Sequence, residues 1–313
     1  MNLAGHYWTI APHLKDRFFT STNNIHHLPW SQRFTDPAIG EITLTGQLSD
    51  QSNTDDLVIV IHGLGGSIDS AYMKRFVRAC DAQNMSYLLL SVRGYDRKGD
   101  DLSHAALWQD IAFTLKSPAL GKFKRFHLLG YSIGGHLCLH AALHIDDPRL
   151  HSVIAICPPL ILKRAQSAID RSTAWLYRHH VLNGLKEVYE KLDQRGRAPT
   201  PYAQVKKVTS IYDWDKLTVV PRHGFSSVED YYEQASIAPR LDEIRLPCLI
   251  VSSSQDPMLP ESNYPKDLSF SKSTTYLHCA SGGHVAFPDS LNLGFGNRLG
   301  LENQTIAWIN QLA

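Results

Sequence analysis

Short apolar runs recur along this 313-residue chain, each followed by a longer segment with helical spacing. That alternation restricts the possible folds more than any other feature. Residues 57–63 (LVIVIHG), 86–92 (SYLLLSV), 125–131 (RFHLLGY), 151–157 (HSVIAIC) and 246–253 (LPCLIVSS) are apolar at successive positions. Such runs mark strands buried on both faces. Residues 274–280 (TTYLHCA) read as a last strand, and the more alternating 41–48 (EITLTGQL) as a first, edge-like one. Between them SAYMKRFVRACDAQ, HAALWQDIAFTLKS and GHLCLHAALHI have helical apolar spacing, and TIAWINQLA closes the chain as a helix. Strands alternating with helices predict an α/β fold, a mostly parallel central sheet flanked by helices.

One block interrupts the pattern. Residues 160–240 contain no buried-strand run, only helix-like pieces punctuated by RAPTPY and VVPRHGF. The expected organisation is a first part of the core at 1–159, a helical cap insertion at 160–240 and a second part of the core at 241–313. The cap would sit over the carboxyl edge of the sheet, where ligands bind in such folds. Between Leu160 and Asp213 there are ten Lys and Arg against five Asp and Glu. The excess reads as solvated helix faces, with recognition of an anionic part of a substrate as the rival reading.

The chemistry concentrates where one buried run ends. GYSIG, residues 130–134, places Ser132 on the turn between a strand and a helix, where glycines permit a tight bend and the helix N-terminus faces the hydroxyl. A serine hydroxyl is a weak nucleophile, so it needs a base, and the base needs a third group to fix its tautomer. In this architecture the acid and then the histidine follow the serine along the chain. Asp256 in SQDPMLP and His284 in SGGHVAFPD each follow a predicted strand, on the same edge as Ser132. Asp267 and Asp289 are competing acids, but neither directly follows a buried strand. Two backbone amides are expected to hold an oxyanion: that of Ile133 at the helix start and that of Leu64 in the HGLGGS loop.

With these residues in place, the chain resembles the α/β-hydrolase superfamily and, within it, the YheT-like esterases, a branch that includes animal ABHD-type lipases. The resemblance runs from about Glu41 onward and is most specific in YDWDKLTVVPRHGFSSVEDYYEQAS, where Asp213, Thr218, Gly224, Phe225, Asp230, Tyr231, Tyr232 and Ser236 match. It implies a catalytic role for Ser132, Asp256 and His284 and an oxyanion role for Leu64. The matched block is expected to pack the exit of the cap onto the core. The loop RGYDRKGDDLSHAALWQD departs from the family, being shorter and carrying Ala106 where a glycine is usual.

Other features bound the function. A formal net charge of +1 gives no global pull toward nucleic acid. No apolar run approaches the ~18 residues of a transmembrane helix, and the N-terminal segment lacks the pattern of a signal peptide. Five scattered cysteines without a C-x-x-C pair read as reduced and buried, hence a cytoplasmic protein. His136, His140 and His144 share one helix face, but no carboxylate accompanies them, so they read as packing residues rather than metal ligands. No nucleotide-binding glycine motif is present, and neither a metal nor an organic cofactor is expected. The expected activity is serine-dependent hydrolysis of a carboxylic ester, the substrate a small-molecule or lipid-like ester. Acyl transfer to an alcohol and a non-catalytic binding role remain open. H-x-x-x-x-D, from His284 to Asp289, is the feature pointing to acyl transfer.

Overall fold

In the computed structural model, which describes residues 3–19, 27–51 and 54–312, eight strands form one sheet in the order β1-β2-β4-β3-β5-β6-β7-β8. The strands are β1 (Leu28–Asp36), β2 (Gly40–Ser49), β3 (Asp56–Ile61), β4 (Ser86–Ser91), β5 (Arg125–Tyr131), β6 (Leu150–Ile156), β7 (Cys248–Ser253) and β8 (Thr274–Cys279). β1 and β2 run antiparallel at one end; from β4 to β8 every pairing is parallel. The expected edge strand at 41–48 is not the edge. β1 lies outside it, joined by a short turn in which the Ala38 amide donates to Asp36.

A helix outside the expected alternation, α1 (Leu3–Phe19), comes first; α2 (Ala71–Asp81), α3 (Gln109–Leu115) and α4 (Ile133–His144) follow as the alternation predicts, and α11 (Leu301–Asn310) closes the chain. Between β6 and β7 lie only helical elements, principally α5 (Leu162–Ile169), α6 (Trp175–Gln194), α7 (Tyr202–Val205), α8 (Ile211–Leu217), α9 (Val219–His223) and α10 (Val228–Ala235). The central strands carry apolar residues on both faces because both faces are buried. Leu57, Ile59 and Ile61 of β3 point to the layer that holds α4, whereas Val58 and Val60 point to the layer built by α2 and α11. A third apolar cluster joins α6 to Trp214, Tyr231 and Tyr232, with Tyr95 and Leu102 of the loop after β4. No helix among the described residues is long and apolar enough to cross a membrane.

One buried cation ties these layers together. Arg93, 1% exposed, follows β4 and reaches Asp36 at the end of β1 (2.9 Å), Asp101 (2.9 Å) and, through both arms of its fork, Asp110 in α3. Asp101 also accepts Arg222 from α9, so the chain of charges continues among the helices between β6 and β7. Replacing Arg93 by leucine removes the guanidinium from Asp36 and Asp110 and leaves Asp101 with Arg222 alone. Removal of one member of a buried ionic network costs about 3–5 kcal/mol, so Arg93→Leu should lower the urea midpoint accordingly. Arg93→Lys is expected to lie between, because a lysine offers no fork for Asp110; a midpoint equal to wild type for the leucine variant would refute this account.

Candidate active site

The turn from β5 into α4 is closed to almost any other sequence. A Cβ at Gly130 would lie 2.1 Å from the Gly134 carbonyl oxygen, and one at Gly134 would lie 2.4 Å from the Ile61 carbonyl oxygen in β3. Ser132 itself takes φ 54° and ψ −121°, a strained conformation for a residue with a side chain. Its amide is held by the Ile156 carbonyl at 2.8 Å. The strain lifts the hydroxyl off the end of the sheet, where it meets His284.

His284 lies in the loop after β8 and Asp256 in the loop after β7. His284 Nδ1 donates to Asp256 Oδ2 at 2.8 Å, which leaves Nε2 to accept from Ser132 Oγ at 2.9 Å. The carboxylate can only accept, and this fixes the tautomer. The other oxygen, Oδ1, receives the amides of Met258 (2.8 Å) and Leu259 (3.0 Å), so this buried carboxylate is fully satisfied. The competing acids Asp267 and Asp289 make no hydrogen bond to His284 among the described residues.

Leu64 and Ile133 both line the cavity beside Ser132. Neither of their amides donates a hydrogen bond within the described residues, as expected of groups held ready for an incoming oxygen. The loop bearing Leu64 is fixed from three sides. Gly63 donates its amide to the Tyr72 hydroxyl (2.9 Å) and Gly65 to the Tyr95 hydroxyl (3.3 Å). His62, lowered to about 4 by burial, stays neutral, donates from Nδ1 to the Gly63 carbonyl (2.9 Å) and accepts the Val92 amide at Nε2 (3.1 Å). The histidine of the H-G pair is thus a bridge under the loop.

The first helix supplies support that the sequence did not disclose. Thr9 Oγ1 accepts the His284 backbone amide at 2.9 Å, and α1 presses Gly5 so close to Gln255 that a Cβ there would fall 1.7 Å from its carbonyl oxygen. Thr9 and Ile10 also line the cavity. Within the block 212–236, Asp213 is exposed and caps α8 with Ser210, whereas the buried acid is Asp215. Tyr231 accepts the Ala105 amide (3.0 Å) and Ser236 accepts the Leu162 amide (3.0 Å), so the block does bind the helices to the core. Trp214, Asp215, Tyr231 and Tyr232 line the cavity as well, which the packing expectation had not included.

The cavity encloses about 410 Å³ above Ser132, and its wall is mainly apolar. None of the ten basic residues between Leu160 and Asp213 lines it; they turn outward to partners such as Glu229, Asp100 and backbone carbonyls. His136 and His140 are buried with both Nε2 atoms against the Ala235 carbonyl (2.7 and 2.9 Å), a packing arrangement. The one group of described side chains spaced for a metal ion is Cys157, Asp256 and His284, donor atoms within 4.8 Å of one another. There Asp256 and His284 are engaged with each other, and burial holds the Cys157 thiol well above its ordinary value, hence protonated.

Comparison with known proteins bears on the family and the fold. A family model described as the alpha/beta hydrolase fold matches residues 56–291. A putative esterase, YheT, of Escherichia coli is 28% identical over 245 residues, covering 74% of this chain and 70% of that protein. An abhydrolase domain-containing protein of Dictyostelium discoideum is 25% identical over 77% of this chain and 64% of its own length. A monoacylglycerol lipase of Saccharomyces cerevisiae is 21% identical over 75% of this chain and 56% of its own. The chain therefore spans less than two thirds of the last two. Among solved structures an esterase of Pyrococcus furiosus superposes with a TM-score of 0.55 at 15% identity, covering 85% of this chain and 88% of that one, a likeness of fold.

The glycine contacts make the turn testable. Gly134→Ala forces β3 and α4 apart and is expected to cost at least the 1–3 kcal/mol typical of overpacking. Chemical denaturation reads this directly, and an unchanged midpoint would show that the turn has slack.

Proposed function

The chain belongs to the α/β-hydrolase family, in its YheT- and ABHD-like branch, and from that premise we propose that it hydrolyses carboxylic esters through Ser132, His284 and Asp256. The observation that carries the reading is the unbroken line from Asp256 through His284 to the Ser132 hydroxyl, 2.8 and 2.9 Å, ending beside two free amides. The esterase and lipase names of the relatives point the same way.

In this mechanism Ser132 Oγ attacks the ester carbonyl as His284 Nε2 takes its proton. The carbonyl oxygen becomes an oxyanion held by the Leu64 and Ile133 amides, each such donor being worth about 3 kcal/mol in the transition state. Asp256 holds the imidazolium in place. Collapse of the tetrahedral species breaks the bond to the alkoxy oxygen, which leaves as the alcohol with the proton from His284. Water then gives a proton to His284 and attacks the acyl-enzyme, and the acid departs as Ser132 recovers its hydrogen. The reaction as written needs no cofactor.

Residues 160–240 act in this reading as a cap over the cavity, with 1–159 and 241–313 as the two parts of the core. The apolar wall suits the carbon chain of a small or lipid-like ester. Acyl transfer has no separate support, since Asp289 makes no hydrogen bond or ion pair with His284 among the described residues.

Treatment with a small fluorophosphonate followed by intact-protein mass spectrometry tests the nucleophile. Wild type should gain one adduct and Ser132→Ala none; an adduct that survives the substitution places the nucleophile elsewhere. Asp256→Asn should keep the fold and lower kcat by about 10⁴-fold, the effect of losing the acid from such a triad. If Asp267→Asn or Asp289→Asn costs more in the same assay, Asp256 is not the orienting acid.

A further inference from the structure

Among the described residues the cavity wall carries one carboxyl group, Asp215 of α8. It is 8% exposed, and its Oδ2 accepts the Tyr232 hydroxyl at 2.6 Å. The second oxygen, Oδ1, meets no donor among the described residues and remains open to the cavity. An accessible carboxyl oxygen on an otherwise apolar wall is a ready partner for a polar group of a ligand.

Three observations say which group that is. Among the described residues the one Lys or Arg on the wall, Arg75, is paired with Glu302 at 3.1 Å and not with Asp215. Burial, opposed by the Tyr232 hydroxyl and reinforced by Asp170, pushes the Asp215 carboxyl up to about 7. Around neutrality it is therefore partly protonated and able both to donate and to accept, the pattern a hydroxyl also has. Asp215 also stands close to Tyr95: together with burial its charge raises the Tyr95 hydroxyl, the group that accepts the Gly65 amide beside Leu64. Asp215 and the Leu64 and Ile133 amides thus belong to the lining of one cavity.

We propose that Asp215, seated by Tyr232, hydrogen-bonds a hydroxyl group of the substrate and makes the enzyme selective for hydroxylated esters. The inference rests on the ester-hydrolase reading. The hydroxyl belongs either to the alcohol part, as in a polyol monoester, or to the acyl chain, and the recognition chemistry is the same for both. A site built to bond a hydroxyl discriminates against the analogue lacking it, because the protein group is then left unpaired.

Three esters decide the matter: propyl octanoate as reference, glycerol monooctanoate with hydroxyls on the alcohol, and propyl hydroxyoctanoate with one on the acyl chain. The readout is the ratio of kcat/KM for each hydroxylated ester to that of the reference, compared within each protein. Wild type should favour one hydroxylated ester by about tenfold, as a hydrogen bond of roughly 1.4 kcal/mol implies, and the favoured ester identifies the side. Asp215→Leu should bring that ratio to about one, while Asp215→Asn, which keeps both a donor and an acceptor, should retain part of it. Should the leucine variant not fold, Asp215→Ala is read in the same way. A purely structural role would lower all three rates together and leave the ratio intact, which overturns the proposal. Equal rates for all three esters in wild type overturn it as well while leaving the ester reading standing; hydrolysis of none removes both.

Discussion

The backbone contact between β3, β5 and the first turn of α4 is the constraint on which the site depends. Gly134 packs against the Ile61 carbonyl and Gly130 against the Gly134 carbonyl, so the helix enters the sheet at a distance no side chain would tolerate. That approach forces Ser132 into its positive φ, projects the hydroxyl and aligns the Ile133 amide at the N-terminus of α4. It also brings the loop after β3 alongside, so Leu64 and Ile133 share one wall. The energy of holding an unfavourable serine conformation is offset by the well-packed sheet on either side, where strands β3, β5 and β6 are almost wholly buried.

Polar side chains then place the loops on this frame. Three different devices serve three loops: a neutral histidine and two tyrosine hydroxyls under 62–66, two backbone amides on Asp256, and a threonine hydroxyl on the His284 amide. Arg93 works one layer out, where its three carboxylate partners fix the end of β1, α3 and the loop that borders the cavity. Because Asp101 is shared with Arg222, the position of α9 is set by the same buried charges. The helices between β6 and β7 are therefore joined to the core by specific ionic contacts as well as by the apolar cluster around Trp214 and Tyr231.

Much of this was legible from residue order because the signals are local. Runs such as 125–131 and 57–63 are rich in apolar residues since both faces are covered, and they coincide with β5 and β3 to within a residue or two. Ser132, Asp256 and His284 could be singled out because each follows a strand at the same edge of a parallel sheet. β1 escaped because LPWSQRFTD has Pro29 near its start and only Trp30 buried on its inner side. The supporting hydroxyls of Thr9, Tyr72 and Tyr95 escaped for a different reason: their partners come from distant segments, and periodicity carries no information about such pairings. The two acids of YDWD show the limit most plainly. Asp213 is the acid that carries the resemblance, yet the helix turns it to solvent to cap α8 and buries Asp215 instead.

The bond between Thr9 and the His284 amide joins residues 275 positions apart in the chain. Bringing ends so distant together carries an entropic cost that grows with the length of the loop being closed, and a single hydrogen bond does not offset it alone. The contact gains its value only after the sheet has formed and holds both partners near one edge. The seat of the histidine is thus a property of the assembled sheet, which brings residues from early and late in the sequence to one edge.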